Sequence, residues 1–555
     1  MAKWWQEAVV YQVYPRSFKD SNGDGIGDLN GIISKVEYFA ALGVTAVWLG
    51  PIFSSPNDDC GYDVSDYRNI MTEFGTMEDF DRLLEVYHKH NIKVILDLVV
   101  NHTSDEHKWY VEAKKGKDNP YRDYYIWRKG KNGKEPTNWE SVFSGSTWNY
   151  DEKSDEYALH LYSKKQMDLN WENEKVRKEV YDLSRFWLDK GIDGFRLDTI
   201  TTISKNPDYP DAEIVNKDSE YQPATQYYLN GPRLMEFLHE FKDEVFSRYD
   251  IVTIGETPGV TTQQALEYVD MEKGVMDVAI QWEHIEKDPG SGEKWGEEFW
   301  TPKYYKSIIT KWQNTLMGKG WNVLYTSNHD QPRQVSRFGN DSKYWKESAK
   351  MLATCIHMQR GTPFIYQGEE IGMTNVAFDS ISDYRCVETR GKYAVEKAKG
   401  TPEEEIMAML HRKSRDNART PMQWNENKYA GFSDSAPWIG VNPNYVSINV
   451  EQQEKDPDSI LNYYRKLTKL RRDYPVVVNG DFETLLPDDE NLFIYKRKYE
   501  EETLLVLNNF SEKECEYHLE EEGYQLLLSN YQDSPTDFRN GMLRPYEACV
   551  YYKRS

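Results

Sequence analysis

Two textures alternate along the chain. Stretches with apolar residues every three or four positions give way to short, nearly unbroken runs of β-branched and aromatic residues. In KVEYFAALGVTAVWLGP, Val36, Phe39, Ala40 and Leu42 form one helical stripe, and the run VTAVWLG follows Gly43. Gly43 stands where a left-handed residue ends a helix. FDRLLEVYHKHNIKVILDLVVNH repeats the design with Asn91 in the capping position. KVRKEVYDLSRFWLDKGIDGFRLD repeats it again, with Val176, Val180, Leu183 and Trp187 on one stripe and Gly191 after it. Continuous apolar runs suit parallel strands covered on both faces. VVYQVYP, VMDVAIQ, NVLYTSNHD and TPFIYQGEE bring the strands close to eight. The pattern predicts an α/β chain folded as a (β/α)8 barrel.

The rhythm is interrupted between His102 and about Asn170, where Lys, Gly, Asp, Trp and Tyr dominate, and again in the charged, helix-prone stretch from Glu370 to about Trp424. Loops of that length in a compact domain are functional or form a subdomain. After about Val478 short strand-like segments separated by turn residues predict an antiparallel β domain. The expected division is a barrel over 1–103 and 171–478, an inserted subdomain over 104–170 after the third strand, and a C-terminal β-sandwich over 479–555.

Among 555 residues, 92 acidic against 68 basic give a net charge of −24, which disfavours nucleic acid and anionic membrane as partners. The 40 Tyr and 17 Trp permit stacking on sugar faces without proving it. Cys60, Cys355, Cys386, Cys515 and Cys549 are sparse, odd in number and without a CxxC pair, which reads as reduced thiols in a cytoplasmic protein. The first residues lack the features of a signal peptide, and no window is apolar enough to span a bilayer.

Three carboxylates close apolar runs: Asp198 in GFRLD, Glu256 in IVTIGE and Asp330 in LYTSNHD. Parallel strands of a barrel all end at one mouth, where three such groups can meet. One can act as nucleophile, one as proton donor and one as a stabiliser of developing positive charge, the set needed to cleave a glycosidic bond with retention. Arg196, two residues before Asp198 on the same strand face, is expected to keep that carboxylate ionised. Retention further requires the Asp198 and Glu256 carboxyls to lie roughly 5–5.5 Å apart.

DLVVNH (97–102), GFRLD (194–198), TIGE (253–256) and SNHD (327–330) resemble the four signature regions of the α-amylase family, glycoside hydrolase family 13, in the family's order. QMDLN (166–170) is similar to its fifth region, and NARTPMQW (417–424) to a stretch of its oligo-1,6-glucosidase branch. The resemblance covers nearly the whole chain. It implies Asp198 as nucleophile, Glu256 as acid and base, Asp330 as stabiliser, and His102 and His329 on hydroxyls of the same glucose. It also implies that Tyr62 and Asp63 in GYD line the terminal-sugar subsite. Arg415 resembles the arginine that pairs with this Asp and closes the cleft, making the enzyme exo-acting. Phe143, Tyr162 and Gln166 fall where the inserted subdomain should overhang the pocket. The substrate it implies is a short oligosaccharide bearing terminal α-linked glucose, cleaved by a monomer or weak homo-oligomer.

DSNGDGIGD (20–28) places oxygen-bearing side chains at Asp20, Asn22, Asp24 and Asp28 and the Ile26 carbonyl at an EF-hand-like spacing, although the twelfth position is Gly31 in place of the closing Glu. The branch carries a similar loop that binds structural calcium, or magnesium. No His/Cys cluster suggests zinc, and no Gly-rich loop suggests a nucleotide. Two departures bear on linkage. Met167 replaces a usual Pro, and Thr199 follows the nucleophile where α-1,6-preferring relatives carry Val and several maltases carry Thr. Such a change is worth about 1–3 kcal/mol of preference. Isomaltose-type hydrolysis is therefore expected first, with maltase or sucrose-cleaving activity as the alternative. Transglucosylation or sucrose isomerisation comes next, disfavoured because QWEHIEKD stands where sucrose isomerases carry an Arg-rich loop. Transporter heavy chains share the barrel but lack the full acidic set and carry a membrane anchor.

Overall fold

The computed structural model describes residues 3–286, 295 and 300–554. Eight parallel strands form the barrel: β1 Val10–Val13, β2 Ala46–Leu49, β3 Lys93–Val99, β4 Gly194–Asp198, β5 Val252–Thr257, β6 Val278–Gln281, β7 Val323–Leu324 and β8 Thr362–Tyr366. Their order is β6-β5-β4-β3-β2-β1-β8-β7, and a parallel bridge from Ala279 to Asn322 closes the ring. All but Lys93 of these strand residues are buried, as the unbroken apolar runs require.

The predicted helices form where their stripes place them. Helix α1 (Val36–Leu42) ends at Gly43 with φ +80°. Helix α2 (Met77–Lys89) starts with a Thr76–Asp79 capping box and is followed by Asn91 at φ +57°. Helix α3 (Glu174–Asp189) is capped by Asn173 and followed by Gly191 at φ +103°. In each case a left-handed residue turns the chain back into the next strand.

One expectation fails. The run NVLYTSNHD yields only the two-residue strand β7, so Asp330 sits six positions beyond its end, on a turn. Tyr325 through Asp330 leave the ladder to make side-chain contacts with neighbouring strands and loops, including Tyr325 Oη to the Gln281 carbonyl at 2.7 Å.

Strands Trp127–Arg128, Glu156–Leu159 and Trp148–Asp151 make an antiparallel sheet within the insertion. Its core is completed from elsewhere: Tyr209, Ala212, Ala224 and Tyr228, on the segment after β4, pack with Trp139, Trp148 and Leu159. Beyond the barrel a five-stranded antiparallel sheet and the two-stranded ribbon Cys515–Tyr517/Gly541–Leu543 share a second apolar core. Buried cations seat this C-terminal unit and the chain's start. Lys306 donates to the carbonyls of Leu486, Asp489 and Leu492 at 2.8, 2.7 and 3.0 Å. Arg497 reaches those of Met358, Gly480 and Asp481 at 2.6, 2.8 and 2.7 Å. Arg471 reaches those of Gln6, Ala8 and Gly361 at 2.5, 3.1 and 2.8 Å. No helix among the described residues is long and apolar enough to cross a membrane.

Candidate active site

At the carboxyl ends of β3, β4 and β5 one guanidinium gathers three carboxylates. Arg196 Nη1 lies 2.7 Å from Asp97 Oδ1 and 2.6 Å from Asp198 Oδ1, and its Nη2 lies 2.6 Å from Glu256 Oε1. Residues two apart on a strand share a face, so Arg196 and Asp198 both point into the barrel mouth. The next residue, Thr199, is left-handed at φ +39°. That turn brings its N–H to Glu256 Oε2 at 2.8 Å and its hydroxyl to Asp198 Oδ2 at 3.3 Å. Asp198 and Glu256 are thus tied together through Arg196 and Thr199.

Arg196 favours the ionised Asp198, but it is not the only influence on that carboxyl. Burial pushes Asp198 well above the ordinary carboxylate range; Arg196 pulls down, but Glu256 and Asp97 push up. Glu256 is raised too, again by burial first, with Asp330 and Asp97 adding to it against Arg196. Burial and mutual repulsion thus favour a proton on this pair of carboxyls, while Arg196 works against it.

Asp330 is set the opposite way. Its Oδ1 receives Arg415 Nη1 at 3.0 Å and Arg419 Nη2 at 2.7 Å, and its Oδ2 lies 2.9 Å from His329 Nε2. Burial alone would raise it, but His329, Arg415 and Arg419 outweigh burial and hold it well below the usual range. His329 is fixed by Gln12 at Nδ1 (2.7 Å) and by the Tyr62 hydroxyl at Nε2 (2.6 Å), and its ring stacks on Tyr62 at 5.4 Å. The Tyr62 hydroxyl also donates to Asp97 at 3.0 Å, joining the two clusters.

Arg415 does not pair with Asp63. Its Nη2 meets Asp59 Oδ1 at 3.0 Å, and its Nε meets Glu388 at 3.0 Å. Asp63 instead accepts from the Ser55 hydroxyl and from the N–H groups of Asp58 and Asp59, at 2.9, 2.8 and 3.1 Å. It therefore braces the loop that presents Asp59, and burial pushes its carboxyl up to about 6. Gln166 Nε2 contacts Asp59 at 3.3 Å and His102 at 3.2 Å. Phe143 lies under the Arg415 guanidinium at 5.0 Å and against Tyr162 at 5.9 Å. Tyr162 in turn packs against His102 at 5.3 Å and feels the charges of Asp198 and Glu256.

The structure therefore brings Asp198, Glu256, Asp330, Tyr62, His102, Arg196, His329, Arg415, Phe143, Tyr162, Gln166 and Thr199 into one linked site, with Asp63 behind it. Sequence reasoning missed Asp97, Asp59, Glu388 and Arg419. Arg419 lay within NARTPMQW, and Asp97 opened DLVVNH, so both carried a signal.

In the 20–28 loop the side chains engage mainly the local backbone, and Ser433 Oγ donates to Asp20 Oδ2 at 2.6 Å. Asp20 accepts the N–H groups of Asn22, Gly23 and Gly25, and Asp28 accepts those of Ser21 and Gly31. Asp24 accepts the Ile26 N–H at 2.8 Å. Among the described residues no group of three or more His, Cys, Asp or Glu is placed to hold a metal ion.

Residues 12–480 match the family description "Alpha amylase, catalytic domain", and residues 492–550 match "Alpha-amylase SusG C-terminal domain". The chain belongs to the α-amylase family. It is 56% identical to an oligo-1,6-glucosidase of Parageobacillus thermoglucosidasius, over 99% of this chain and 98% of that one. Trehalose-6-phosphate hydrolase (TreA) of Bacillus licheniformis superposes with a TM-score of 0.94 at 49% identity, covering 99% of this chain and all of that one. Isomaltulose synthase of Erwinia rhapontici gives a TM-score of 0.95 at 43% identity, covering 100% and 99%. This member of the α-amylase family is a glycoside hydrolase with the site geometry described above.

Proposed function

We propose that the protein is a retaining, exo-acting α-glucosidase that releases terminal α-linked glucose from short oligosaccharides, isomaltose-type substrates first. The observation that carries this reading is the binding of Asp198 and Glu256 to the two Nη atoms of one guanidinium. That shared contact keeps the two carboxyls within reach of one cation, as suits a nucleophile and its acid.

Glu256 carries a proton and donates it to the glycosidic oxygen. Asp198 attacks the anomeric carbon as the leaving group departs, forming a glycosyl ester. Glu256, now ionised, takes a proton from water, which displaces Asp198 with a second inversion. Asp330, kept anionic by two arginines, opposes the positive charge that grows on the sugar ring. The Arg415 bridge between Asp59 and Asp330 supports exo action, on the reading that it blocks the far end of the cleft.

The α-1,6 preference is supported by the likeness to the oligo-1,6-glucosidase. Thr199 favours a second reading, α-1,4 or sucrose cleavage, because its hydroxyl borders the Asp198 carboxyl while its N–H binds Glu256. Isomerisation is disfavoured by the sequence QWEHIEKD, of which Lys287 and Asp288 lie outside the described residues. Initial rates on isomaltose, maltose, sucrose and trehalose 6-phosphate, with the anomer of nascent glucose read by NMR, test the reading. α-Glucose released fastest from isomaltose is expected; β-glucose as first product would overturn retention.

The five described cysteines are free, which supports a reducing compartment such as the cytoplasm. A monomer or weak homo-oligomer remains part of the proposal. The oxygen donors Asp20, Asn22, Asp24, Asp28 and the Ile26 carbonyl suit calcium or magnesium in kind. Loading the loop requires these oxygens to exchange amide partners for the ion, which would be structural and outside the reaction. EDTA should then lower the melting temperature more than kcat at moderate temperature; an unchanged melting temperature counts against an ion there.

A further inference from the structure

Behind His102 lies a buried polar chain that the reaction scheme does not use. The strand Gln166–Asp168 pairs antiparallel with His102–Ser104, placing Asp168 directly opposite His102. Lys205, on the segment after β4, enters the same space with its side chain only 3% exposed. Its Nζ lies 2.7 Å from Asp168 Oδ2 and donates to Asn101 Oδ1 at 2.8 Å. Lysine has only donors, so this contact assigns the Asn101 oxygen and points its Nδ2 the other way. Nδ2 donates to Asp168 Oδ2 at 3.1 Å and lies 3.1 Å from His102 Nδ1. On the far side of the ring, His102 Nε2 lies 3.1 Å from the Tyr62 carbonyl oxygen.

We propose that Lys205, Asn101 and Asp168 form a positioning relay that fixes the His102 proton on Nε2, so that the ring meets substrate as a neutral N–H donor. With the proton on Nε2 the ring accepts from Asn101 and donates to Tyr62. With the proton on Nδ1, two N–H groups would face each other across 3.1 Å and the Tyr62 carbonyl would lose its donor. Gln166 is the single contact pulling the other way. Its Oε1 accepts the Ser163 N–H at 2.9 Å, so its Nε2 is the atom 3.2 Å from His102 Nε2. That amide has another acceptor, Asp59 Oδ2 at 3.3 Å, and two bonds outweigh one. The charged ring fares worst, being a donor on both sides. Burial pushes His102 down to about 4, against the Asp168 charge and the Tyr62 carbonyl, with Lys205 adding a smaller downward push.

The consequence rests on the proposed glucose pocket. A sugar hydroxyl that donates to a carboxylate such as Asp59 still has lone pairs to accept an N–H, and the relay supplies one of fixed direction, shared between the hydroxyl and the Tyr62 carbonyl. Lys205 and Asn101 are therefore positioning residues, acting through His102.

The test uses the full-length enzyme labelled with 15N-histidine, the His102 signals being assigned by their loss in His102→Gln. The wild type should show Nε2 protonated, Nδ1 bare and no titration down to about pH 5. Lys205→Arg, which keeps a donor-only cation, should preserve that pattern. Asn101→Asp sets an acceptor-only carboxylate against Nδ1, still paired to Lys205. It should move the proton to Nδ1, raise the ring's basicity and lower kcat/KM roughly tenfold or more. A wild-type proton on Nδ1, or an Asn101→Asp enzyme still protonated on Nε2, overturns the relay. The wild-type spectrum alone decides if a variant fails to fold. If the tautomer is as assigned but His102→Gln keeps full activity, the relay stands and the sugar contact of His102 falls.

Discussion

The two halves of the barrel mouth handle charge in opposite ways. On the strand side, one arginine serves three buried carboxylates, and burial wins: Asp198 and Glu256 are raised. On the loop side, His329, Arg415 and Arg419 converge on Asp330 and drive it down. The cations that face each carboxyl thus decide whether burial prevails there. In the proposed mechanism the strand side supplies the proton for a leaving group and the loop side an anion beside the sugar.

That contrast can be broken by substitution. Asp198→Asn should lower kcat by roughly 10⁴-fold or more with the melting temperature little changed, because no other oxygen replaces the nucleophile. Near-normal turnover would remove Asp198 from the mechanism. Arg419→Gln takes away one charge-assisted hydrogen bond of about 1.5–3 kcal/mol and should cost ten- to hundredfold in kcat/KM. It should also lift the acid limb of the pH profile. Asp330 is depressed, so its anion persists to low pH in the wild type, and losing Arg419 lets it protonate at higher pH. An unmoved acid limb would deny Arg419 that role. A smaller effect distinguishes Asp59 from Asp63. Asp59→Ala and Arg415→Ala should each raise KM about tenfold and combine non-additively, whereas Asp63→Asn and Arg415→Ala should combine additively. Coupling of Asp63 with Arg415 in place of Asp59 would reverse the assignment.

The smallest effect lies outside both clusters. Burial raises Glu369 to about 7, against Ser327 and Tyr464, which bind its ionised oxygens. It is protonated in the folded state where the unfolded chain would ionise it. Its contribution to stability is full below the unfolded value near 4.5 and is lost as pH rises through about 7. Glu369→Gln should flatten the pH dependence of stability in that window by up to about 1.4 kcal/mol per pH unit, measured by urea unfolding. An unchanged slope would place the titration elsewhere.

The strand side was largely legible in the sequence because it rides on regular structure. Continuous apolar runs fixed the strands, and a period of two put Arg196 and Asp198 on one face. Asp97 escaped notice because it is a single polar residue inside an otherwise apolar strand, not the group that ends it. The loop side was less legible for a geometric reason. Asp59 and Asp63 lie four apart on a loop with left-handed residues at Asn57, Cys60 and Gly61, so no periodicity tells which one faces Arg415. Asp330 was found from its motif, but its support from Arg419, 89 positions later, depends on tertiary packing alone. The segment 209–228 likewise joins the insertion's core without any local pattern that announces it.

The seats of Lys306, Arg471 and Arg497 are built from backbone oxygens and need no acidic partner to complete them. Nothing in those sockets picks up a proton as a solution is acidified, whereas the mouth of the barrel is full of groups that do. Mild acid should therefore silence this enzyme while its joints stay locked, and restoring the pH should return activity with no refolding of one part onto another.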